Sequence, residues 1–131
     1  MADARLRTPL GRAIGLGSAK EGVQHWWMQR VTAIALVPLA VWFVVRVVML
    51  AGSGADRAAF VAWVREPVSA ALWVVLLIAT FYHGALGLQV VIEDYVANQG
   101  ARLGLVIVMR LAALLGCILG IVALAKLSLG G

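Results

Sequence analysis

Three long apolar runs alternate with short polar stretches along the chain. In the middle run, no Asp, Glu, Lys or Arg occurs from Pro67 to Ile92. That stretch is longer than the ~20 residues needed to cross a bilayer core. An earlier run extends from about Val31 to Ala51. A later one extends from about Leu103 to Leu127, with Arg110 near its start and Lys126 near its end. The pattern predicts an all-α membrane protein with three transmembrane helices over about 31–51, 68–92 and 103–127.

The polar interruptions read as helix punctuation. Gly52-Ser53-Gly54 ends the first helix, and the linker up to Glu66 contains AAFVAWV, a candidate for a short interfacial helix. Pro67 suits the first turn of the second helix, where its missing N–H costs nothing. Glu93-Asp94-Tyr95 closes that helix, and Asn98-Gln99-Gly100 reads as a short turn. His25, Trp26 and Trp27 precede the first span, as expected for an aromatic belt at the interface. Arg30 stands at its mouth, and Arg46 lies about 24 Å further along a helix, so both guanidinium groups can reach opposite interfaces. Pro38 is expected to kink the first helix. Gly104, Gly116 and Gly120 are expected to let the third helix pack closely. Trp42, Trp63 and Trp73 are expected to serve as interface or packing residues.

Composition agrees. The 131 residues are 63% hydrophobic and 13% charged, about half the charged fraction of a soluble domain. Residues 1–24 are polar, glycine-rich and basic, with no apolar segment before Val31. They are read as a cytoplasmic N-terminal tail to a membrane anchor domain at 25–131. That reading is preferred to a secretory signal or an organellar transit peptide. The net charge of +5 is read as membrane topology rather than nucleic-acid binding. Three helices with short loops alternate in direction, so the tail and the 93–102 turn share one side. That side carries Arg5, Arg7, Arg12, Lys20, Arg30, Arg102 and Arg110; the other carries Arg46, Arg57, Arg65 and Lys126. The positive-inside rule then places the N-terminus in the cytoplasm and the C-terminus outside. Cys117 has no partner for a disulfide within the chain and is expected to be a buried, inert thiol.

His83 is the candidate for chemistry. It lies just past the centre of the second span, and ionisable groups inside a membrane are rare. A neutral imidazole there suits metal or haem ligation, proton relay, or a hydrogen bond to a neighbouring helix. Gly84 and Gly87 leave the helix surface around it open, either to a packed helix or to a flat macrocycle. No C-x-x-C-H occurs, which excludes that mode of covalent haem attachment. Asp94 follows about three helical turns later, on the same face and about 16 Å nearer the cytoplasm. Asp94 and Tyr95 also suit a helix end and a belt aromatic. Acids at a helix C-terminus oppose its dipole, so Glu93 and Asp94 call for cationic partners. Gln89 is expected to bond to another helix.

The segment His83–Val96, HGALGLQVVIEDYV, resembles the H-x-x-x-G-(x)6-D-Y motif of the succinate dehydrogenase hydrophobic membrane anchor family, the cytochrome b-type anchors of complex II. His83, Gly87, Asp94 and Tyr95 fall on its key positions. The segment His25–Ala35, HWWMQRVTAIA, resembles that family's H-x-x-x-Q-R-x-T-A segment. Gln24 stands where some members carry the histidine, one position before His25. The resemblance covers roughly residues 17–125.

It implies one part of a heteromeric transmembrane bundle in a bacterial cytoplasmic membrane, or alternatively a mitochondrial inner membrane. His83 would be an axial ligand of a haem b shared with a second anchor subunit. Arg30 would face the haem propionates or the rim of the quinone site. Tyr95 would hydrogen-bond a ubiquinone carbonyl as substrate, and Asp94 would help organise that site. The remaining partners would be an iron–sulfur subunit that delivers electrons and a flavoprotein subunit. The chain has no flavin-binding fingerprint and no cysteine cluster for iron–sulfur centres, so succinate chemistry is expected on those other subunits. A quinol:fumarate reductase anchor is the near alternative. A haem-free transporter or proton-path subunit using His83 and Asp94 as relays is the more distant one.

Overall fold

The computed structural model describes Leu10 and residues 20–130. The rest of the expected tail lies outside the described residues. Over residues 20–130 four helices follow in order: α1 (Lys20–Gly52), α2 (Arg57–Arg65), α3 (Pro67–Tyr95) and α4 (Gln99–Leu129). Three of these, α1, α3 and α4, are long and apolar enough to cross a membrane. The described residues are thus all-helical, with the three expected spans embedded in longer helices. Backbone groups in hydrocarbon have no water to bond, so even runs rich in Val and Ile take up the self-satisfied helix.

The helix ends follow from local chemistry. Past Gly52, the Gly54 N–H donates to Ala51 O at 3.3 Å and the Ala55 N–H to Leu50 O at 3.2 Å. This is a Schellman closure, and Gly54 takes the left-handed φ of 65° that it requires. Asp56 caps α2 by accepting from the Ala59 N–H at 3.0 Å. Pro67 occupies the start of α3, as its sequence position predicts. Asn98 accepts from the Ala101 N–H at 3.0 Å. Gln99 and Gly100, expected in a turn, are therefore the first residues of α4. At the other end of α4, the Arg65 side chain donates to Leu127 O at 2.9 Å, placing a cation on a helix C-terminus. α1 begins at Lys20 and so includes Trp26, Trp27 and Arg30, which the hydropathy pattern places ahead of the span. It continues as one helix past Pro38.

Helix α3 is the central element. It packs against α1 on one side and α4 on another, while α2 lies across the ends of α3 and α4. The α3–α4 contact uses the expected small residues. A Cβ at Gly116 would stand 2.7 Å from Phe81 Cε1, and one at Gly120 would stand 3.0 Å from Leu77 Cδ1. An added Cβ at Gly104 would meet nothing within 4 Å, so among the described residues its expected packing role is not used. At the α2 end, Trp63 is buried with Val64. Its ring lies 5.5 Å from Trp42 and 5.2 Å from Trp73. Arg46 reaches this end, 5.6 Å above the Trp63 ring and 3.8 Å from Glu66. Cys117 is half-buried rather than fully enclosed. No residue of α4 is buried, which suits a surface covered by lipid or by other helices.

Candidate functional site

The α1–α3 contact brings His83 to Thr32. Thr32 Oγ1 lies 3.0 Å from His83 Nδ1, and the same hydroxyl lies 2.8 Å from Met28 O and 3.1 Å from Gln29 O. His83 is half-buried, and among the described residues its Nε2 has no hydrogen-bond partner. A Cβ at Gly84 would meet nothing within 4 Å, whereas one at Gly87 would lie 3.9 Å from Gln29 Nε2. Gly87 thus faces α1, while Gly84 leaves open space beside the histidine.

The other expected site residues, Arg30, Asp94 and Tyr95, lie toward the same end of the bundle, with no side-chain hydrogen bond or ion pair to one another among the described residues. Asp94 and Tyr95 are the last two residues of α3 and are exposed, Tyr95 at 85%. Among the described residues neither has a side-chain hydrogen bond or ion pair. Arg30 is exposed and sits 5.3 Å over the Trp26 ring. It is two residues from Thr32, so it projects roughly 200° around α1 from the threonine that meets α3. Among the described residues His25 Nε2 is buried without a hydrogen-bond partner, and His25 lines a groove with Met28, Tyr82, Gln89, Glu93 and Arg110.

That groove holds a polar relay that sequence patterning does not assemble. Arg110 Nη2 donates to Gln89 Oε1 at 2.6 Å, and Gln89 Nε2 donates to Glu93 Oε1 at 2.7 Å. Gln89 thus links the Arg110 guanidinium to the Glu93 carboxylate, with no direct ion pair between the two among the described residues. Gln89 and Glu93 are one helical turn apart, a spacing plain in the sequence. The pairing with Arg110 depends on the α3–α4 register. Thr32 likewise lies within the first-span motif, but its pairing with His83 needs the α1–α3 register.

A model of the succinate dehydrogenase/fumarate reductase transmembrane subunit family matches residues 4–123. The chain belongs to that family. The membrane-anchor family resemblance carried by the two motifs therefore stands, and the chain is one of the family's anchor subunits. It is 35% identical over 117 residues to the succinate dehydrogenase hydrophobic membrane anchor subunit of Rickettsia bellii (strain RML369-C), covering 89% of this chain and 92% of that one. It is 31% identical over 126 residues to the corresponding subunit of Paracoccus denitrificans, covering 96% and 95%. The succinate dehydrogenase membrane anchor subunit of Reclinomonas americana is 27% identical over 96 residues, covering 72% and 80%. No solved structure gives a significant match. Family membership makes the chain a multi-pass membrane subunit that associates with other subunits of such a complex.

Proposed function

We propose that this anchor subunit serves a succinate:quinone oxidoreductase, contributing one axial ligand to a haem b and part of a ubiquinone-reducing site. The observation that carries the haem reading is the state of His83. Its Nδ1 is engaged by Thr32, while Nε2 is without a partner among the described residues and the adjoining Gly84 surface is open. A neutral imidazole nitrogen is a suitable iron ligand and needs no charge in the bilayer. These residues fit a haem that His83 would hold together with a residue of the other anchor subunit. Such a group would hold one electron reversibly within the bundle.

The quinone reading rests on Tyr95 and Asp94 at the end of α3. Quinone reduction takes up two electrons and two protons, so the site belongs near water rather than at mid-bilayer. A phenol stays neutral at pH 7 and donates a hydrogen bond to a quinone carbonyl. Tyr95 is given that role, and Asp94 organises the site with a cation from a partner subunit. Arg30, without an acidic partner among the described residues, serves the propionates or the site rim, where a guanidinium binds oxyanions well. Electrons arrive from an iron–sulfur subunit docked on this face, supplied in turn by a flavoprotein subunit. The membrane is a bacterial cytoplasmic membrane, with the N-terminus in the cytoplasm.

Affinity purification of a tagged chain from its native membrane tests the assignment. The expected preparation contains a flavoprotein, an iron–sulfur protein, a second anchor and haem b, and reduces a ubiquinone analogue with succinate. A chain that purifies without those subunits, or a haem-free transporter activity, would contradict it.

A further inference from the structure

We propose that Thr32 is a positioning residue for His83: its hydroxyl holds the imidazole in the tautomer protonated on Nδ1 and so leaves the Nε2 lone pair for iron. The proposal rests on the reading of His83 as an axial ligand and names the group that prepares it.

The back-bond of the threonine into its own helix favours one tautomer. Thr32 Oγ1 carries one, and two backbone acceptors lie within reach in its own helix, Met28 O at 2.8 Å and Gln29 O at 3.1 Å. Threonine in a helix characteristically bonds back to the carbonyl three or four residues earlier. With its hydrogen so used, Oγ1 meets His83 only through a lone pair. A neutral imidazole has one N–H and one acceptor nitrogen, so at 3.0 Å Nδ1 must be the donor. Nε2 then carries the lone pair. The reverse arrangement would have Thr32 donate to Nδ1 and put a proton on Nε2, closing that nitrogen to iron.

The position of the hydroxyl is also well fixed. Threonine is β-branched and stiff at χ1. One turn away, Gly87 also faces α1, with Gln29 Nε2 at 3.9 Å from the position of an added Cβ. A hydrogen bond accepted from the outer N–H of a ligating histidine orients the ring and raises its basicity. A more basic ligand favours the ferric state, so the hydroxyl lowers the haem midpoint potential.

The test uses the whole detergent-purified complex. Thr32→Val keeps the branched shape and removes the hydroxyl; Thr32→Ser keeps the hydroxyl and removes the methyl. Thr32→Val is expected to weaken haem retention by about tenfold or more and to raise the midpoint potential in a redox titration. Thr32→Ser is expected to restore both. A role in packing alone would give the opposite ranking and overturn the proposal. If Thr32→Val does not assemble, Thr32→Ala replaces it, with the same upward shift expected. A wild-type midpoint in any assembled variant lacking the hydroxyl overturns the role of Thr32 while leaving the ligand standing. A b-type band that survives His83→Ala overturns the ligand reading itself and this proposal with it.

Discussion

Gly116 of α4 lies so near Phe81 of α3 that an added Cβ would stand 2.7 Å from the ring. Phe81 is two residues before His83, so this contact helps fix the helix that carries the histidine. Gly116→Ala is expected to force the ring or the helix aside and to destabilise the bundle by about 1–3 kcal/mol, the usual cost of overpacking. Gly104→Ala, which would meet nothing within 4 Å, is expected to be nearly neutral. Thermal inactivation of the two complexes in detergent measures the difference.

The three spans are legible in the sequence because their length alone requires helices in a bilayer. The ends of those spans are less legible. Lys20–Arg30 contains charges and glycine, so a hydropathy reading stops at Val31, yet the helix continues into the polar region, where its residues can reach water. Asn98 reads as part of a turn, although an asparagine before an apolar helix is also an N-cap, and its 3.0 Å bond to Ala101 starts α4 earlier. His83 is recognisable because it is ionisable and sits in mid-span. Its contact with Thr32 is not, since the relative register of two helices distant in sequence is set by packing.

The relay from Arg110 through Gln89 to Glu93 predicts an energetic coupling. Gln89→Leu removes the group between the guanidinium and the carboxylate. A double-mutant cycle with Arg110→Leu is expected to give a coupling of roughly 0.5–2 kcal/mol, in the range for polar contacts between membrane helices. The measurement is unfolding of the purified complex in SDS, and strictly additive effects would refute the coupling.

Tyr95 is 85% exposed in the isolated chain and is assigned a hydrogen bond to the quinone. Tyr95→Phe is expected to lower kcat/KM for the quinone by about 2- to 10-fold, the loss of one ordinary hydrogen bond. Electron transfer from succinate to an artificial acceptor that bypasses the quinone is expected to stay unchanged, as is the b-type absorption band. Steady-state assays with both acceptors check this.

The orientation makes a prediction of its own. In a Cys117→Ala background, Ala97→Cys in the α3–α4 turn is expected to react with an impermeant maleimide only in inverted vesicles. Ser53→Cys, beyond the end of α1, is expected to react only in right-side-out vesicles. The reverse pattern would turn the chain over and place the Asp94–Tyr95 end outside.

Ligation of the haem by His83 through Nε2 is the central assignment, and the role given to Thr32 depends on it. Its most direct test is a reduced-minus-oxidised optical spectrum of the purified complex, wild type against His83→Ala. A b-type α-band is expected in the wild type and is expected to be lost in the variant, with all four subunits still present. A b-type band unchanged in His83→Ala, or no haem in the wild-type complex, would contradict the assignment.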